Sequence, residues 1–146
     1  MNEQQKQQVI KILQNNEFGV ICTNSYDRVA PESAVVAISN TEDLQIIFGT
    51  FQDSRKFKNL QRDRNVSIVV GWDNDKKQTM QIEGVAEIVS EELRPKIEDI
   101  HCLKNKASEK FRGNLQQAYF LVKPYWIRFS DFSKHPQEIW EIDLEI

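Results

Sequence analysis

Residues Phe48 to Asp63 read "FGTFQDSRKFKNLQRD". The segment opens as the end of a strand and closes as an amphipathic helix, with Phe57 and Leu60 on its apolar side. Asp53 or Ser54 can cap that helix. Arg55 and Lys56 then fall in its first turn, where the helix dipole already places partial positive charge. The first-turn N–H groups also have no intrahelical partner. Cations crowded onto that end make sense if an anion sits in front of them. Arg55 can grip a phosphate as a fork, and Lys56 adds a point charge. The alternative is that Arg55, Lys56, Lys58, Arg62 and Arg64 form a solvated basic face. Glycine-rich phosphate chemistry is absent: the chain has five glycines and no GxGxxG or P-loop pattern.

The pattern on either side of this segment is mostly β. "EQQKQQVIKILQN" carries Val9, Ile12 and Leu13 at helical spacing, which predicts an opening helix. "FGVICTNS" predicts a strand with Val20 and Cys22 buried. "YDRVAPE" is a turn closed by Pro31. "SAVVAIS" is a short β-branched strand, and "NTED" turns it into "LQIIFGT" as its hairpin partner. "NVSIVVGW" is a further strand, and "DNDKK" is a turn. In "QTMQIEGVAEIV", Thr79, Gln81, Glu83, Val85 and Glu87 share one face, and Met80, Ile82, Gly84, Ala86 and Ile88 the other. "SEELRPKIEDIHCLKN" predicts a helix on Leu93, Ile97 and Ile100, capped by Ser90, with Pro95 in its first turn. "SEKFRGN" predicts a short helix. "QAYFLVKPYWIRFSDF" is an aromatic-rich strand region broken near Pro124, and "EIWEIDLEI" a final edge strand. About seven strands joined by short turns, without βαβ alternation, predict a mainly β (α+β) fold: one antiparallel barrel with helices outside it.

The 146 residues fit a single domain, 1–146, with no linker or repeat. A net charge of −3 argues against a general nucleic-acid binder. No apolar run reaches bilayer length, and the N-terminus does not read as a signal peptide, so a cytoplasmic location with no membrane partner is expected. Cys22 and Cys102 are too few for a disulfide framework. Cys22 reads as a small buried hydrophobe. His101, Cys102 and His135 fit no metal spacing, and adjacent His101 and Cys102 point in different directions on a helix. Glu83 and Glu87 share a strand face as surface carboxylates do. No residue stands out as a catalytic acid or base.

Taken in order, "GVICTNS" with "PESAVVAIS", then "LQIIFGT", then "SRKFKNLQRDRNVSIVV", then "QIEGVAEIV" resemble the pyridoxamine 5′-phosphate oxidase-like family of FMN-binding split barrels. The likeness covers roughly Phe18 to Val89. It implies a six-stranded split barrel that forms a homodimer with FMN at the subunit interface. By position, it implies that Arg55 and Lys56 hold the FMN phosphate, with Ser54 and Thr50 beside them. Ser33, Ala34, Val35 and Val36 would run along the ribityl chain and ring, and Gln81 would hydrogen-bond the ring. The partner subunit would bring an aromatic or Arg toward the ring, with Trp126 and Arg128 as candidates and Trp72 behind them.

The sequence departs from the true oxidase at "APESAVV", where Glu32 and Ser33 stand near the expected phosphate-binding Arg. The tail "SDFSKHPQEIWEIDLEI" lacks the Arg and His that hold the vitamin phosphate. The resemblance therefore supports flavin binding and not oxidation of pyridoxamine phosphate. It implies a small FMN-dependent oxidoreductase acting on a small-molecule substrate or reductant. The alternative is a carrier or sensor that binds flavin, haem or a deazaflavin without turnover. An RNA surface on "RKFKNLQRDR" is disfavoured by the acidic charge and the lack of interleaved aromatics. Glu32, which would oppose a reduced flavin, is expected to face solvent.

Overall fold

The protein is described here from a computed structural model, which covers residues 1–145. Helix α1 (Glu3–Asn15) starts in a capping box: Gln5 N donates to Asn2 Oδ1 and Asn2 N donates to Gln5 Oε1. Its buried residues are Val9, Ile12 and Leu13, the stripe its spacing predicts. Strands β1 (Phe18–Asn24), β2 (Pro31–Ala37), β3 (Ser39–Asn40) and β4 (Ile46–Phe51) follow, then helix α2 (Arg55–Arg62). Next come β5 (Asn65–Val70), β6 (Gln78–Ile88), helix α3 (Arg94–Lys104), a 3₁₀ turn at Lys106–Phe111, β7 (Gln117–Asp131) and β8 (Glu138–Asp143). Ile146, the last residue of the predicted final strand, lies outside the described residues.

All strand pairs are antiparallel, in the order β2-β1-β5-β6-β7-β4-β3, with β8 alongside the second half of β7. The sheet curls into a mainly β split barrel, and the β2 and β4 edges come into contact. One cross-strand row on its concave face runs Ala34, Ile21, Ile68, Ile82, Ile127 and Ile142. Of these, Ile21, Ile68, Ile82 and Ile127 are buried, each contributing about 1.5–3 kcal/mol by removing apolar surface from water. The row can be continuous because side chains alternate strictly across each strand.

Four sequence expectations change. In β1, Gly19, Ile21 and Thr23 are buried, whereas Val20 and Cys22 lie half-buried on the convex face. The strand alternates as expected, with its phase shifted by one residue. The strand "SAVVAIS" pairs with "LQIIFGT" only at Ser39–Asn40, because its main part pairs with β1 instead. Ser90 closes the turn before α3, accepting from Leu93 N at 3.3 Å, and the helix itself begins at Arg94 with Leu93 as its cap. Finally, β7 is not broken at Pro124. Its pairing with β6 skips Tyr125 in a bulge opposite Glu83 and Gly84, which absorbs the missing proline N–H. Gly84 is required at that bulge: a Cβ there would meet Lys123 O at 2.7 Å and Val122 Cγ1 at 2.8 Å.

Candidate cofactor site

The anion-binding end forms where β4 runs into α2. Ser54 N donates to Phe51 O at 3.0 Å, which turns the chain. Ser54 Oγ then caps the helix by accepting from Phe57 N at 3.1 Å, and it shares a 2.8 Å hydrogen bond with buried Thr50 Oγ1. One hydroxyl proton of that pair is committed to the mutual bond, which leaves the other for a ligand. Arg55 is exposed and Lys56 half-buried. Burial pushes the Lys56 pKa down, and among the described residues no carboxylate acts to restore it. A half-buried ammonium without a counterion is unfavourable in isolation. It becomes favourable when an anion arrives, so these residues fit a phosphate.

Glu32 does not face solvent. At the start of β2 its side chain is only 13% exposed and pairs with Arg55. Its other oxygen accepts from Asn59 Nδ2 at 2.9 Å. Asn59 is fully buried; it also donates to Thr23 Oγ1 at 2.9 Å and accepts from Tyr26 N at 2.9 Å. The Asn59 hydrogen bond, helped by Arg55, holds the Glu32 carboxyl below its usual range even though desolvation opposes it. The sequence signal was available. Glu32 stands two residues before Ala34, on the barrel-facing parity of β2. Asn59 lies one helical turn after Arg55, on the same side of α2.

Of the remaining candidates, Ser33, Val35, Gln81 and Trp126 lie on the convex face of the sheet. One ladder across the strands reads Val35, Val20, Val69, Gln81, Arg128, Glu141, and the next reads Ser33, Cys22, Ser67, Glu83, Trp126. Val35 is 67% exposed and Val69 39%. A shallow depression of about 290 Å³ is lined by Val20, Cys22, Val69, Gln81 and Trp126, among others. Ala34 and Val36 point to the other side of β2. Within one chain, then, Thr50, Ser54, Arg55 and Lys56 form one group, and Ser33, Val35, Gln81 and Trp126 a second. Arg128 is paired to Glu141 of its own chain, and Trp72 packs beside Phe132 with ring centres 6.0 Å apart.

Neither histidine lies on a strand of this face. His101 is buried, with Nδ1 2.7 Å from Ser39 Oγ, and burial pushes its pKa down to about 4. His135 lies in the exposed β7–β8 loop.

The fold and this site can now be set beside known proteins. A family model described as pyridoxamine 5′-phosphate oxidase matches residues 5–131. The chain belongs to that family. Among solved structures, general stress protein 26 from Bacillus anthracis str. Sterne aligns at 20% identity, with a TM-score of 0.71, over 94% of this chain and 98% of that one. A pyridoxamine 5′-phosphate oxidase-related, FMN-binding protein from Nostoc punctiforme PCC 73102 aligns at 12% identity, TM-score 0.73, over 98% and 90%. A heme-binding protein from Mycobacterium smegmatis aligns at 13% identity, TM-score 0.78, over 92% of this chain and 56% of that one. At these identities the likeness shows the shared fold. The chain spans little more than half of the mycobacterial protein, and 57% of an Agrobacterium tumefaciens protein that also aligns. No curated protein matches the sequence. Among the described residues, no helix of this family member is long and apolar enough to cross a membrane.

Proposed function

We propose that this member of the pyridoxamine 5′-phosphate oxidase family binds FMN as a homodimer and acts as a small flavin-dependent oxidoreductase. The observation that carries the reading is the half-buried Lys56 beside Arg55 at the head of α2, unpaired among the described residues and backed by the Thr50–Ser54 hydroxyl pair. Lys56, Arg55, Ser54 and Thr50 would hold the phosphate. Gln81, on the convex face, would offer its amide to the ring, and Trp126 would flank it. When bound, the flavin supplies the hydride or electron chemistry. The chain's own residues bind and orient it and keep water away.

The apolar surface of the convex face supports the dimer. Val20, Val35, Val69 and Trp126 make an apolar stripe bordered by Ser33, Ser67 and Gln81. A twofold pairing covers such a stripe with its own copy and lets a ligand anchored on one protomer meet residues of the other. Haem, named for one structural neighbour, is the second reading. It is less well served here, because buried His101 is committed to Ser39 and His135 lies in the exposed β7–β8 loop, not on a strand of the convex face.

The test is reconstitution. The purified protein is titrated with FMN and with haem and followed by absorbance and sedimentation. The reading requires one FMN per protomer on a dimer, and oxidation of a reduced nicotinamide or similar donor by the loaded protein. Stoichiometric haem binding with no FMN uptake overturns it. Tight FMN binding without any turnover leaves the carrier function in place of the enzyme.

A further inference from the structure

We infer that Glu32 is a built-in competitor for the phosphate: an affinity-setting residue that keeps the anion site at net charge +1, not +2. The inference rests on the phosphate reading of Arg55 and Lys56. Glu32 is placed by a rigid frame. Fully buried Asn59 grips one carboxylate oxygen, and is itself fixed by Thr23 and Tyr26 N. The other oxygen meets the Arg55 guanidinium. The carboxylate therefore cannot swing away when a ligand arrives without abandoning Asn59. An incoming phosphate must share Arg55 with it or displace it.

Two consequences follow from the charges alone. Arg55 contributes less attraction than an uncommitted Arg would, because ligand binding exchanges one anionic partner for another. Lys56, which has no such partner among the described residues, supplies most of the attraction. The site thus tolerates a phosphate while holding it below the grip of a doubly cationic site. That suits a ligand that must exchange.

The test is Glu32→Gln. The amide oxygen still accepts from Asn59, so the frame is retained, and a thermal melt of the ligand-free protein checks this. FMN should bind about tenfold or more tightly, the effect of removing one negative charge a few ångströms from the ligand. Its affinity should also fall more steeply with added salt than in the wild type. Riboflavin affinity should stay within about twofold of wild type. Unchanged or weaker FMN binding by a variant with an unaltered melt overturns the inference, and makes Glu32 a brace that positions Arg55. Lys56→Met, run alongside, separates the two levels. If it weakens FMN and spares riboflavin while Glu32→Gln has no effect, only the role of Glu32 fails. If it does not discriminate between the two flavins, the phosphate reading fails and this inference with it.

Discussion

Replacing Lys56 with Met removes one charge and keeps most of the side chain's bulk, so it isolates the ammonium's contribution. In the ligand-free chain Lys56 is half-buried with no counterion among the described residues, and burial lowers its pKa. The substitution therefore relieves an unfavourable ionisation and should leave the ligand-free melting temperature unchanged or raise it. With FMN bound, the same change removes a charge-assisted hydrogen bond, a loss of about 1.5–3 kcal/mol. At 1.4 kcal/mol per decade, the FMN dissociation constant should rise roughly tenfold to hundredfold. Riboflavin lacks the phosphate and should lose about twofold or less, since its contacts do not include the charge. Titration by quenching of flavin fluorescence gives both constants on the same protein. Equal losses for FMN and riboflavin would refute the reasoning. So would a destabilised ligand-free protein with unchanged FMN affinity, because Lys56 would then be a structural cation.

Other sites give independent checks. Val69→Glu places a charge in the convex stripe at a position 39% exposed in the single chain. The chain should fold but sediment as a monomer with weakened FMN binding, since an unpaired charge buried at an interface costs several kcal/mol; an intact dimer contradicts the assignment of this face. His101 should make folding acid-sensitive. Its folded pKa is about 4 against an ordinary 6.5, so the unfolded chain takes up the proton first as pH falls. Stability is complete above pH 6.5 and declines as pH drops through 4, by up to about 3 kcal/mol. In denaturant unfolding at pH 7 and pH 4, His101→Gln should lack that part of the loss, and identical pH profiles would refute it. Gly84→Ala should destabilise by about 1–3 kcal/mol, because its methyl would press on the Lys123 carbonyl opposite the bulge; a neutral effect would show that the bulge can relax.

What the sequence revealed and what it hid both follow from how each feature is encoded. The stripe Val9, Ile12, Leu13 and the alternation of Met80, Ile82, Gly84 and Ala86 are periodic, so their buried faces could be read directly. The cap at Ser54 and the cations behind it are a local pattern, and the helix starts where they place it. Phase and pairing were harder. In β1, isoleucine and valine occupy both parities, so nothing local favours Ile21 over Val20 for the core; β2 and β5 on either side decide it. The bulge at Tyr125 depends on Gly84, far away in sequence. Glu32 is a related case. A lone carboxylate in a short strand suggests solvent, and against that stand only its shared parity with Ala34 and the buried Asn59 that receives it from a different element.

The most direct test of the account is a crystal structure of the protein with FMN. The account predicts a phosphate within hydrogen-bonding distance of Lys56 Nζ and the Arg55 guanidinium at the head of α2. It also predicts the ring against a convex sheet face that is closed by a second copy of the chain. Flavin bound elsewhere, for example in the cavity of about 420 Å³ between α1 and α3, with Lys56 left open to solvent, would contradict it.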